Sequence, residues 1–194
     1  KQELSYLFGN FNSLRQQHGY EDVYQENLRT IKNHNIDILE IGSAKGDGLA
    51  SFYFYFPNSS LIGIDNNPFR IRYKSKRIRN IYSDISSKKV MKNLTNHLNK
   101  KFDLIIEDCS HLLIDQIVCF VENFKNLKEK GIYVVEDLNF PEIHKKYNPT
   151  GESINLKIIF KKIIDNEKID TNLINEEQID YMKNNIETIK IFKC

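Results

Sequence analysis

The chain has no tryptophan, two methionines, four prolines, eight glycines and three cysteines in 194 residues. The cysteines, Cys109, Cys119 and Cys194, form no C-x-x-C pair, so neither a disulfide framework nor a structural zinc site is expected. A reducing, cytoplasmic setting fits them best. No apolar run approaches the roughly 20 residues needed to cross a bilayer, and the opening KQELSYLFGNFNSLRQQ lacks the apolar centre of a signal peptide, so no membrane partner is expected. The charge is not strongly of one sign: 28 Lys and Arg against 26 Asp and Glu leave +2. A nucleic acid or an anionic surface would therefore need a local patch to bind. Linkers and repeats are missing too, and the length suits a single domain, residues 1–194, with a helical or looped lead-in over 1–35.

What the chain does have is a series of short, nearly continuous apolar runs: IDILEIG (Ile36 to Gly42), SLIGID (Ser60 to Asp65), IRNIYSD (Ile78 to Asp84), FDLIIED (Phe102 to Asp108) and GIYVVED (Gly131 to Asp137). Such runs suit strands covered on both faces. Between them, SSKKVMKNLTNHLNKK and LLIDQIVCFVENFKNLKEK return apolar residues at spacings of three and four, as helices do. Strand alternating with helix predicts an α/β protein with a doubly wound, mostly parallel sheet and helices on both faces. Toward the end, ESINLKIIFKKIIDN reads as another amphipathic helix, and IETIKIFK alternates like a late antiparallel strand. The stretch NFPEIHKKYNPTGES, residues 139–153, reads as a loop over the pocket, with His144 and Tyr147 able to touch a substrate.

In such a sheet, ligands bind at the carboxyl ends of the strands. Every predicted strand here ends in acid: Glu40, Asp65, Asp84, Glu107 with Asp108, and Glu136 with Asp137. The turn after the first strand, EIGSAKGDG, carries Gly42, Gly46 and Gly48 and allows a ligand close to the backbone. Its spacing is not the G-x-G-x-x-G of dinucleotide sites. Glu40 would repel a pyrophosphate there and welcome an ammonium, and Asp65 is placed to accept hydrogen bonds from ribose hydroxyls. Plain alternatives stand beside these: a strand-to-helix turn for the glycines, and a capping role for Asp65 that Asn66 or Asn67 could equally fill.

These residues resemble the class I S-adenosylmethionine-dependent methyltransferases, which have a Rossmann-like sheet. LEIGSAKGDG looks like their first motif, GID their second, and YSDIS their third-strand segment. The resemblance implies a cofactor site of Glu40, Gly42, Ser43 and Gly46 around the methionine half, Asp65 on the ribose, and Asp84 or Ile85 at the adenine, with Asn66 and Glu107 also among the cofactor-binding residues.

The acids at the fourth and fifth strand ends raise a separate question. Asp108, Glu136 and Asp137 in one crevice would raise one another's pKa unless a cation intervened, and oxygen ligands favour Mg²⁺. His111, three residues past Asp108, would then be the base for a hydroxyl that the metal has acidified. FDLIIEDCSH followed by LKEKGIYVVEDL, with HGY and VY between His18 and Tyr24, resembles the metal-dependent O-methyltransferases of macrolide sugars and their cephalosporin hydroxylase-like relatives, from about Asn12 to Asn139. That resemblance implies Asp108, Glu136 and Asp137 as metal ligands, His111 as general base, and a sugar or other vicinal diol as substrate. The chain departs from the family pattern at Cys109, where Gly is usual, and at KEKG, where a proline-glycine turn is usual. An acidic neighbourhood keeps Cys109 from acting as a nucleophile.

Other readings remain. RIRYKSKRIR, Arg70 to Arg79, has six basic residues and no acid. It reads as a solvated face, or less readily as a site for a phosphorylated substrate or RNA. A nucleic-acid base methyltransferase would carry a D/N-P-P-aromatic motif where EDCSH stands. A cofactor-binding module without activity would keep the cofactor and lose metal-dependent turnover. A nicotinamide dehydrogenase is disfavoured by the glycine spacing. Oligomeric state is open, with ELSYLFGNF available to pack on a second copy.

Overall fold

A computed structural model describes residues 3–193, so Cys194 lies outside the described residues. Five parallel strands, β1 (Asp37–Ile41), β2 (Ser60–Asp65), β3 (Ile78–Tyr82), β4 (Phe102–Glu107) and β5 (Leu127–Val135), form one sheet in the order β3-β2-β1-β4-β5. All five expected strands are present. The central ones are buried along their length because both faces are covered. Successive side chains divide between those faces. Ile38, Leu104 and Ile106 pack on α1 (Leu4–Asn10), α3 (Glu21–Leu28) and α4 (Asp47–Tyr55), while Leu39, Ile41 and Ile105 pack on α5 (Lys88–Leu98) and α6 (Leu113–Phe124). A third cluster joins α6 to α8 (Leu156–Ile164) and α9 (Glu176–Asn185). Two short helices, α2 (Leu14–Gln17) and α7 (Phe140–Ile143), lie near the carboxyl edge of the sheet.

Two expectations need correction. The late antiparallel strand is absent: residues 186–193 join no ladder. Ile186 and Ile189 pack instead on the α6–α8–α9 layer, and Ile191 and Phe192 are exposed, so the alternation serves a helical surface rather than a sheet edge. The helix expected through NLKEK also stops early, at Phe124. Phe102 pairs with Leu127, its N–H donating to the Asn126 carbonyl at 2.8 Å, and a bulge between Phe102 and Leu104 fits this longer fifth strand to the fourth. Lys130, which stands where the family pattern has a proline-glycine turn, takes a left-handed φ of 60°.

Candidate active site

The strand order reverses between β1 and β4, and their two exit turns meet there, where an open α/β sheet leaves a crevice. Gly42 has φ 89°, and a Cβ on it would stand 1.9 Å from the Asp108 carbonyl oxygen. Only glycine fits, because the two turns touch backbone to backbone. The Asp108 N–H closes the contact by donating to the Ile41 carbonyl at 2.8 Å.

The residues expected at the cofactor gather around the first turn. Asp65 is buried and ties two turns together: Oδ2 accepts the Ala44 N–H and Oδ1 the Asn67 N–H, each at 2.8 Å. Gly46, at φ 84°, is the N-cap of α4. Glu40 and Ser43 are buried, and Glu40 Oε2 and Ser43 Oγ have no hydrogen-bond partner among the described residues. Buried polar atoms are rarely left so, which marks this turn as a place a ligand would complete. Asn66 is exposed on the turn after β2. Asp84 is exposed past β3, its Oδ1 accepting the Ser86 N–H, and Ile85 packs against the α5–α6 side of the sheet. Glu107 is fully buried, its Oε1 2.6 Å from Cys109 Sγ and its Oε2 without a hydrogen-bond partner among the described residues. Burial pushes the Glu107 carboxyl well up, and Cys109 is raised too, by its contact with Cys119 and by burial. Cys109 is therefore a packed thiol and not a nucleophile.

Beside the turn lies a cavity of about 310 Å³, walled in part by Ser13, Leu14, Asp108, His111, Glu136 and Asp137. Arg15 from α2 enters it and is 5% exposed. Its Nη1 lies 2.8 Å from Glu40 Oε1, its Nε 2.6 Å from Glu136 Oε1 and its Nη2 3.6 Å from Asp108 Oδ2. One guanidinium thus joins the ends of β1, β4 and β5. Burial works against its charge, but Glu136 and Glu40 overcome that and hold its pKa above the usual value. Burial pushes Glu40 up to about 7 although Arg15 pulls it down. Asp108 is raised as well, by desolvation and then by Glu136, against the pull of Arg15.

His111 and Asp137 complete the wall. Both take left-handed backbone, φ 58° and 50°, a conformation that costs a non-glycine residue about 1–3 kcal/mol and is kept where surrounding structure enforces it. Here the turn carries that strain at His111, not at Cys109. His111 Nε2 lies 3.6 Å from Asp137 Oδ2 and 3.8 Å from Asp108 Oδ1. Its Nδ1 is buried without a partner among the described residues, and its ring packs edge-on against Phe140, 5.0 Å between centroids. Burial lowers the imidazole pKa, with Asp137 and Glu136 working the other way. Asp108, His111 and Asp137 bring ligand atoms within 4.8 Å of one another. Glu136 stands outside that set, its Oε1 accepting from Arg15 and from the Tyr24 hydroxyl. Three carboxylates, Glu40, Asp108 and Glu136, face one guanidinium, and Asp137 stands beside them against His111 and Tyr20. A hard dication with oxygen ligands fits that residual charge.

The residues that sequence reasoning missed come from the N-terminal segment. Arg15 supplies the counter-charge, Tyr24 binds Glu136, and the Tyr20 hydroxyl donates to Asp137 Oδ1 at 2.5 Å. The signal available was the excess of buried acid, which calls for a buried cation without saying which one. From the 139–153 segment, Phe140 and Tyr147 reach the cavity wall, whereas His144 is exposed beside them.

A family model described as a methyltransferase domain matches residues 32–190. Among curated proteins, the 8-demethyl-8-alpha-L-rhamnosyl tetracenomycin-C 2'-O-methyltransferase of Streptomyces olivaceus is 26% identical over 128 residues, 62% of this chain and 33% of that protein. The mycinamicin VI 2''-O-methyltransferase of Micromonospora griseorubida is 25% identical over 128 residues, again 62% of this chain and 32% of that protein. The chain therefore spans about a third of the length of these relatives. Among solved structures, the MycE methyltransferase of the mycinamycin biosynthetic pathway, in complex with Mg and SAH, superposes with a TM-score of 0.81 at 21% identity. That match covers 99% of this chain and 52% of MycE, and it shows a shared fold. No helix of the described residues is long and apolar enough to cross a membrane.

Proposed function

The chain belongs to the methyltransferase domain family, and we propose that it is an S-adenosylmethionine-dependent, Mg²⁺-assisted O-methyltransferase acting on a hydroxyl of a sugar or another vicinal diol. The observation that carries the reading is the convergence of Asp108, His111 and Asp137 in a cavity next to the glycine turn. When bound, S-adenosylmethionine supplies an electrophilic methyl on a sulfonium and Mg²⁺ supplies a Lewis acid for the acceptor oxygen. Glu40 and Ser43, each with an orphaned buried oxygen, suit the ammonium end of the donor, and Asp65 suits its ribose. Asp108 and Asp137 would hold the metal, whereas Glu136, expected from the sequence as a third ligand, is engaged by Arg15 and Tyr24 and stands outside the set.

His111 accepts the hydroxyl proton at Nε2. Its lowered pKa leaves the ring neutral near pH 7 and ready to take that proton, and the two nearby carboxylates stabilise the imidazolium once it forms. Phe140 and Tyr147 pack edge-on against the ring and help fix its orientation. The relatives named for sugar O-methylation support a sugar acceptor, as do the oxygen-rich walls.

Calorimetric titration of S-adenosylmethionine and S-adenosylhomocysteine, with and without Mg²⁺, tests the reading in wild type and Asp108→Ala. Binding of both cofactors plus a Mg²⁺ heat that vanishes in the variant is expected. Cofactor binding without a metal heat would overturn the metal and His111 roles, and no cofactor binding would overturn the whole proposal.

A further inference from the structure

The basic run Arg70 to Arg79 is divided by the structure into one scaffold residue and an open row. Arg77 is spent internally: it donates to the Phe56 and Ser59 carbonyls at 3.0 Å and the Tyr53 carbonyl at 2.8 Å, and lies 3.7 Å above the Tyr53 ring. Arg70, Arg72, Lys74, Lys76 and Arg79 are exposed, and none has an ion pair among the described residues. Ile71, Tyr73 and Ser75 between them are partly buried. Arg70, Arg72 and Lys74 alternate with the partly buried Ile71 and Tyr73, and Lys76 follows in the turn that Ser75 and Ile78 close. Apart from Arg72, which also faces the Asp47 carboxylate, these like charges repel one another uncompensated, and an anion relieves that repulsion.

Two further observations give the row a direction. Phe69 heads it and is 96% exposed, a ring surrounded by water next to cations. At the other side, the segment leans on the cofactor turn and the cavity wall. The Arg72 N–H donates to the Lys45 carbonyl at 3.0 Å, and the Tyr73 ring packs edge-on against Phe11 at 5.4 Å. Phe11 leads through Asn12 to Ser13 and Leu14, which line the cavity.

We propose that this row binds the diphosphate of a nucleoside diphosphate sugar, with the base stacked on Phe69 and the sugar directed into the cavity. The inference rests on the reading of that cavity as a site of sugar O-methylation, and it specifies that the acceptor arrives in activated, phosphorylated form. Guanidinium groups pair with phosphate oxygens in a bidentate way, which suits Arg70 and Arg72, while Lys74 and Lys76 add point charges. One open ring in the row serves one base. A face that tracks a single-stranded polymer offers a succession of stacking rings, and here Tyr73 is turned inward.

The test is calorimetric titration of the full chain with uridine diphosphate, inorganic pyrophosphate, uridine and a short oligouridylate at low salt. S-adenosylhomocysteine is titrated into the same samples as an independent readout. Uridine diphosphate is expected to bind more tightly than uridine and to weaken as salt rises. Arg70→Ala with Arg72→Ala should weaken uridine diphosphate and pyrophosphate by about tenfold or more, and Phe69→Ala should weaken uridine diphosphate while leaving pyrophosphate unchanged. These side chains are exposed, so the variants should keep the wild-type unfolding midpoint. Failure of both phosphates to bind, or equal binding by the variants, would overturn the proposal while S-adenosylhomocysteine binding still reports on the methyltransferase reading. Oligouridylate binding about a hundredfold tighter than uridine diphosphate would also overturn it, assigning the row to nucleic acid.

Discussion

Replacing Arg15 by Met tests the electrostatic construction of the cavity. The substitution keeps an unbranched side chain in the site and removes the guanidinium that faces Glu40, Asp108 and Glu136. Removing one partner of a buried ion pair costs about 3–5 kcal/mol, because the remaining charges stay buried without compensation. Here protonation limits the cost. Glu40 already titrates at about 7, and without Arg15 its pKa rises further, so near neutrality it takes up a proton instead of remaining a bare anion. Glu136 keeps its hydrogen bond from Tyr24. The expected loss therefore lies at the low end, about 3 kcal/mol, which for a domain of this length lowers the melting temperature by roughly 6–12 °C. Urea and thermal unfolding of wild type, Arg15→Met and Arg15→Met with Glu40→Gln measure it. The Gln substitution should recover about 1–2 kcal/mol in the Met background, since it removes the charge that Arg15 compensated. The deficit of Arg15→Met should shrink as pH falls from 8 to 5 and the carboxylates protonate. A loss under about 0.5 kcal/mol at pH 8, or strictly additive effects of the two substitutions, would refute the reasoning.

Glu40 itself makes the fold pH-sensitive. Its folded-state pKa of about 7 lies above the ordinary 4.5, so its stabilising contribution is full below about pH 4.5 and fades as pH rises to 7, by about 3 kcal/mol at about 1.4 kcal/mol per pH unit. The stability of wild type relative to Glu40→Gln, measured by urea unfolding across that window, should fall accordingly. A Cβ at Gly48 would stand 2.0 Å from Arg15 Nη1 and 2.3 Å from Glu40 Oε1. Gly48→Ala should therefore displace the pair and cost about 1–3 kcal/mol, despite the better helix propensity of Ala, as thermal melts will show. Tyr24→Phe removes the hydroxyl from Glu136 and should cost about 1–2 kcal/mol with an unchanged urea m-value. At the opposite edge of the sheet, burial raises the Asp37 carboxyl, but Lys100 at 2.6 Å and Lys128 at 3.1 Å more than offset it, leaving the pKa lowered. Asp37→Asn should cost under about 1 kcal/mol near pH 7, less in high salt, and the difference from wild type should vanish as pH falls below the ordinary carboxylate range.

The sheet was legible because its strands are local signals. SLIGID and FDLIIE are apolar on both faces, and β2 and β4 occupy those residues. One edge strand, β5, deviated most. β5 starts at Leu127, in residues whose Lys and Glu read as the end of a helix, since an edge strand tolerates charge that a central strand cannot. IETIKIFK misled for the complementary reason: period-two alternation also suits an extended segment laid on helices, where Ile186 and Ile189 find their apolar contacts. At the site, the acids and His111 were readable because each lies within four residues of a strand end. Arg15 was not, since its ion pairs reach 25, 93 and 121 residues along the chain, separations that no local pattern encodes.

The contrast explains how the charge of the site is arranged. Parallel strands deliver their ends to one edge, so acids placed there accumulate regardless of mutual repulsion. A cation must come from elsewhere in the chain or from solution. α2 supplies one at the inner corner, where Arg15 bridges β1 and β5 out of reach of water. At the outer corner His111 Nε2 stands 3.6 Å from Asp137 and 3.8 Å from Asp108, and among the described residues Arg15 touches only Asp108 of this pair, at 3.6 Å. Charge that protein has neutralised is permanent, and charge left for an external ion is available for chemistry. The division between Glu136, held by Arg15 and Tyr24, and Asp108 with Asp137, gathered around His111, therefore separates the acid satisfied by protein donors from the pair that the proposed function assigns to the metal and the base.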